Sequence, residues 1–74
     1  MKERLLSVFK RILELENIDE NIAQSNCDIW DSIFHLSLMV EIESEFDITF
    51  SPSEIAELNN FEMILNLLVV KLNI

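Results

Sequence analysis

The sequence predicts an all-α fold: a small four-helix bundle with three longer helices and one short third helix. Three observations lead there. Apolar residues recur at spacings of three and four over most of the chain, which is the period of a helix with one buried face. Serine and asparagine stand where such segments begin, as helix caps do. Glycine is absent from all 74 residues, where average usage of about 7% would supply about five. Turns are therefore left to Asn, Asp, Ser and the single Pro52, which suits helices joined by short connections.

The first helix is expected over about residues 2–16. Leu5, Phe9, Ile12 and Leu13 set its apolar stripe, with Leu6 and Val8 beside them, and Asn17 can end it. Residues 18–30 carry no sustained period and read as a long loop, pinned by Ile18, Ile22, Ile29 and Trp30. A loop of that length in so small a domain leans towards function.

The second helix should begin at Asp31 or Ser32, either of which can cap the free backbone N–H groups. Ile33, Leu36, Met39, Val40, Ile42 and Phe46 give it a wide apolar face. Phe46-Asp47-Ile48-Thr49-Phe50 alternates apolar and polar, but it is short, has no partner strand, and reads as an extended connector. Ser51-Pro52-Ser53-Glu54 is a helix start with three concordant signals: a capping serine, proline at the first helical position, and glutamate three residues after the cap. It opens a short helix through about Leu58. Asn59 with Glu62 repeats the capping pattern and opens the last helix, which carries Phe61, Ile64, Leu65, Leu68 and Leu72. Residues 67–70, apolar all round, are expected either deep in the core or in a self-association surface.

Length and composition bound the function. One domain over residues 1–74 is expected, with a stability margin of roughly 3–5 kcal/mol at this size. A single cysteine, Cys27, forms no internal disulfide and fits a reducing compartment. The longest apolar run is residues 67–70, far short of a membrane span. The first residues lack the apolar core and small-residue cleavage site of a secretory signal, so a cytoplasmic monomer is the expectation. Charge is uneven: residues 1–11 carry a net +3 and residues 12–74 a net −12, together −9. Such a body repels nucleic-acid phosphates and anionic lipid, and it favours protein partners with basic patches. Self-repulsion of this kind should be relieved by added salt or divalent ions.

Metal and hydrolytic chemistry find little footing. Neither acidic stretch around residues 19–28 and 28–41 has the alternating oxygen ligands and central glycine of a calcium loop, and Cys27 with His35 is too small a set for zinc. Ser32 and His35 lie three apart on one helical face, yet a nucleophilic triad also needs an orienting acid and oxyanion donors, and no glycine-flanked nucleophile turn exists. The chain is thus not expected to be an enzyme, and His35 is expected as a surface or half-buried helix residue without chemical duty. Cys27 is expected as a half-buried loop residue.

The remaining motif is Asp31-Ser32-Ile33. In the order Trp30-Asp31-Ser32-Ile33-Phe34-His35-Leu36-Ser37-Leu38, then Glu41-Ile42-Glu43-Ser44-Glu45-Phe46-Asp47-Ile48, the chain resembles the acyl carrier proteins. The resemblance covers roughly residues 28–68. It takes in Asp31-Ser32-Ile33 in place of the usual Asp-Ser-Leu, the acidic helix end at residues 41–47, the connector, the short helix after Pro52 and the last helix from Asn60. It implies that Ser32, led by Asp31, receives 4′-phosphopantetheine from coenzyme A through a phosphopantetheinyl transferase. It implies further that the terminal thiol carries acyl groups as thioesters between enzymes. A phosphodiester on Ser32 would stand by the positive end of the helix, where an anion gains about 0.3–1 kcal/mol.

Within that resemblance, Ile29 stands where glycine is common and Trp30 where a small residue is frequent, while Phe34 and Ser37 hold positions often acidic. These departures point to a specialised pathway beside dedicated transfer enzymes rather than to housekeeping fatty-acid synthesis. Docking to basic patches on loading and transfer enzymes is assigned to Phe34, Leu36, Ser37, Val40, Glu41 and Glu43. An acyl chain, each buried methylene of which is worth about 0.8 kcal/mol, is assigned to a space lined by Leu38, Ile42, Phe46, Leu58, Phe61, Ile64 and Leu68. Two alternatives stand beside this reading: an aminoacyl or peptidyl carrier, and an unmodified acidic helical adaptor that binds a basic partner.

Overall fold

In chain order, helices α1 (Lys2–Leu13), α2 (Ser32–Phe46), α3 (Pro52–Glu57) and α4 (Phe61–Leu72) surround an apolar core, with a 3-10 turn at Gln24–Asn26 in the long loop. The structure, a computed structural model, describes residues 1–73 and measures 30 × 24 × 19 Å. The all-α bundle with a short third helix is thus the fold of the chain.

α1 buries Leu5, Val8, Phe9 and Leu13, the stripe set by its period. It stops earlier than the spacing suggests. Glu14 adopts a left-handed conformation (φ 55°), and its N–H and that of Leu15 both turn back to the Lys10 carbonyl. After the reversal, Leu15 and Ile18 pack partly buried against the core. With no glycine available, left-handed helix ends fall to Glu14, Asp47 and Asn73.

The long loop is more ordered than its missing period implies. The Phe61 N–H donates to the Ile22 carbonyl at 3.0 Å and the Gln24 N–H to the Asn59 carbonyl at 2.9 Å, forming an isolated bridge between Ala23 and Asn60. These bonds sew the loop to the start of α4 and satisfy one of the free donors there. Ile22 and Trp30 are buried as expected, but Ile29 is exposed and pins nothing.

α2 is apolar on two sides, and the sequence does not say which side is inner. The structure buries His35, Leu38, Met39, Ile42 and Phe46 and turns Ile33, Leu36 and Val40 outward. α1 lies along α2, tied at the rim by Arg4 to Glu45 at 3.1 Å and Arg11 to Glu41 at 2.9 Å. The connector expected over residues 46–50 is shorter than its sequence implies: Phe46 still belongs to α2, Asp47 closes the helix in the left-handed region, and the residues that follow form no strand and deliver buried Phe50 to the core.

The α3 start is built as read: Glu54 N–H donates to Ser51 Oγ at 3.2 Å, Ser51 N–H donates to Glu54 Oε1 at 2.8 Å, and Pro52 follows the cap. At α4 the cap is one residue later than the Asn59–Glu62 pattern suggests. Asn60 Oδ1 accepts the Met63 N–H at 2.8 Å, because the carbonyl of Asn59 is committed to Gln24. Of residues 67–70, only Leu68 is fully buried, and Val69 and Val70 are exposed. Phe9 joins the layers: it stands edge-on to Trp30 (5.2 Å between centroids) and to Phe61 (5.4 Å), each such pair adding about 0.5–1.5 kcal/mol beyond burial.

Candidate functional site

Ser32 is the first residue of α2 and is exposed. The capping at this helix start belongs to its neighbour. Asp31 is extended and its Oδ1 accepts the N–H groups of Ile33 at 3.1 Å and Phe34 at 3.0 Å. The sequence leaves the choice between Asp31 and Ser32 open, and the backbone decides it. A residue in extended conformation can turn its side chain over the first turn, whereas one already helical cannot. Ser32 is left with no capping duty.

A covalent phosphodiester fits this position. The hydroxyl-bearing residue is exposed at a helix start, and Ile33 (75% exposed) and Leu36 (58%) leave the surroundings open. One expectation is moderated. The Asp31 carboxylate already holds two of the helix-end N–H groups, so an added phosphate shares the positive helix end with an anion instead of having it alone.

Behind Ser32 lies the arrangement that sequence reading missed. His35 is buried, at 8% exposure, and is not a surface residue. Trp30 Nε1–H donates to its Nδ1 at 2.9 Å, and its Nε2 lies 2.7 Å from the Ile55 carbonyl oxygen. An indole N–H only donates and a carbonyl only accepts, so the ring carries its single proton on Nε2. Both nitrogens are committed, which removes His35 as a base for Ser32 and turns it into a brace between α2, the loop and α3. The one available signal was composition: a histidine with a tryptophan five residues earlier, across a helix start, where no helical spacing applies.

The residues expected to dock partners separate into two groups. Leu36, Ser37 and Val40 (62% exposed) face outward and, with Ile12 and Glu41, line an open groove beside α1. The remainder are engaged within the chain. Phe34 is half-buried against the core. Glu41 pairs with Arg11, and Glu43 is not a free docking acid, because its Oε2 accepts the Phe50 N–H at 2.7 Å. The seven residues assigned to an acyl space, Leu38, Ile42, Phe46, Leu58, Phe61, Ile64 and Leu68, are all buried together in the core. Cys27 is half-buried in the loop, directly after the 3-10 turn.

Charges elsewhere are modestly tuned. The Ser51 backbone N–H, and after it the Lys71 ammonium, hold the Glu54 carboxyl below its ordinary range. Glu20 beside Lys2 raises that ammonium above its ordinary value. No described helix is long and apolar enough to cross a membrane. No family model matches the chain, and no curated protein or solved structure matches it significantly.

Proposed function

We propose that this protein is a carrier whose Ser32 bears 4′-phosphopantetheine and which shuttles thioester-bound acyl groups between cytoplasmic enzymes of a specialised pathway. The observation that carries the reading is the division of labour at the start of α2. Asp31 caps the helix, and Ser32 stands exposed beside it with no part in the cap. An isolated Asp-Ser at a helix start is ordinarily explained by capping, and here that explanation is used up by the aspartate.

When bound, the group supplies a terminal thiol for thioester chemistry. The chain's own residues have simpler duties. Asp31 holds the first turn closed so that Ser32 sits at a defined position. Ile33, Leu36 and Val40 offer an apolar outer stripe beside it. With Glu41 and Glu45 paired to Arg11 and Arg4 and Glu43 bonded to the backbone, the contact to partner enzymes is led by apolar residues, with charge in a supporting part.

Intact mass tests the reading, measured after incubation with coenzyme A, Mg²⁺ and a broad-specificity phosphopantetheinyl transferase. The expected result is a gain of one phosphopantetheine in the native chain and none in Ser32→Ala. No gain on a folded sample with more than one transferase overturns the carrier and leaves the acidic adaptor, for which Ser32→Ala retains full function.

A further inference from the structure

The bonding around His35 has a consequence for the segment that presents Ser32. The neutral ring is fully satisfied: Nδ1 accepts from Trp30 Nε1–H at 2.9 Å and Nε2–H donates to the Ile55 carbonyl at 2.7 Å. The two rings also stack, 5.9 Å apart and inclined by 28°. A second proton on the imidazole can go only to Nδ1, where it meets an indole N–H. Donor then faces donor in a buried site, and both lose their partner. Trp30 is two residues before Ser32 and adjacent to the Asp31 cap.

We propose that His35 is a protonation-controlled clamp: neutral, it ties Trp30 and α3 to α2 and holds the Ser32 segment in register; protonated, it releases Trp30. The charged groups on the surrounding elements do not offset a positive ring. Asp28 and Asp31 in the lead segment are exposed, and the Asp31 carboxylate is occupied by Ile33 and Phe34. On α3, Glu54 is held by Ser51 and Lys71 of α4, and Glu57 is exposed. α1 meets the pair through Phe9, whose neighbours Lys10 and Arg11 are exposed cations. Both ring nitrogens are directed at uncharged partners. His35 is thus a positioning residue for Ser32, acting through Trp30 and the Ile55 carbonyl.

The chain contains one tryptophan and one histidine, so each gives a single side-chain signal in nuclear magnetic resonance. At pH 8 the imidazole nitrogens are expected to show the Nε2–H tautomer. On acidification to pH 5 the Trp30 indole N–H resonance and the Trp30 fluorescence should shift with the same midpoint as His35. The fluorescence of His35→Gln should not respond over that range. An Nδ1–H tautomer at pH 8 overturns the clamp, as does a His35 titration that leaves the Trp30 resonance unmoved or a ring that stays neutral until the chain unfolds.

The consequence for Ser32 rests on the carrier reading, and its arm is separate. The rate of Ser32 modification in the native chain, divided by that in His35→Gln to cancel the transferase's own pH response, should fall severalfold between pH 8 and pH 5. A flat ratio removes the positioning role. Absence of any modification sinks the carrier reading while leaving the Trp30 result to stand or fall by itself.

Discussion

The Glu43 carboxylate accepts the Phe50 backbone N–H at 2.7 Å, closing the connector between α2 and α3 onto the last turns of α2. The Ile48 N–H bonds to the Glu43 carbonyl at 3.1 Å, so one residue holds the connector at two points. Phe50 is buried, and the Glu43 carboxylate is the partner of its N–H. Glu43→Ala should cost about 1–3 kcal/mol, the range for leaving a buried donor unpaired, and Glu43→Gln distinctly less because an acceptor remains. Urea denaturation of both variants checks this. Unchanged stability in Glu43→Ala would return the carboxylate to the pool of free docking acids.

The helix start offers a contrast within two adjacent residues. Asp31→Ala removes a cap and should cost about 1 kcal/mol, equivalent to roughly 4–8 °C in melting temperature for a chain of this size. Ser32→Ala, at an exposed position outside the cap, should stay within about 0.5 kcal/mol of the native chain. Equal losses would mean that the serine shares the capping and would weaken the case for it as an attachment point.

Glu14 and Asp47 close α1 and α2 in the left-handed region, at φ 55° and 54°. Residues with a Cβ are strained there by roughly 1–2 kcal/mol, a penalty glycine avoids. Part of that gain is returned as extra freedom in the unfolded chain. Glu14→Gly and Asp47→Gly should therefore each raise stability by about 0.5–1 kcal/mol, seen as a higher urea midpoint at unchanged slope. A loss in either variant would show that side-chain contacts of the native residue outweigh the strain.

Glu54 sets an acid-side pH dependence. Its carboxyl is held below the ordinary 4.5 by the Ser51 N–H and then by Lys71. A depressed carboxyl stabilises the fold only when ionised. Its contribution is complete above the unfolded value and is lost as pH falls through the lower folded value. Glu54→Gln removes this group's titration, so the stability gap between native and variant should narrow as pH drops below 4.5 and then level off. A gap that is constant with pH would mean the carboxylate charge contributes nothing.

The sequence by itself determined the four helices, the capping box at Ser51-Pro52-Ser53-Glu54, and most of the core. These follow from local chemistry: a periodic apolar stripe, a cap three residues from its partner, a proline where no donor is needed. The string around Ser32 is linear, so the resemblance it carries is also read from sequence alone. Tertiary structure alone decided the rest. α2 is apolar on opposite sides, so only packing against α1 and the common core could choose Leu38 and Ile42 over Ile33 and Val40 for burial. Glu41 and Glu45 look like a free acidic face until Arg11 and Arg4, 30 and 41 residues away, are brought beside them. His35 reads as an idle helix residue because its partners lie across a helix boundary at Trp30 and 20 residues on at Ile55. Hydrogen-bond partners of buried polar groups are set by the closure of the whole chain, and no local period records them.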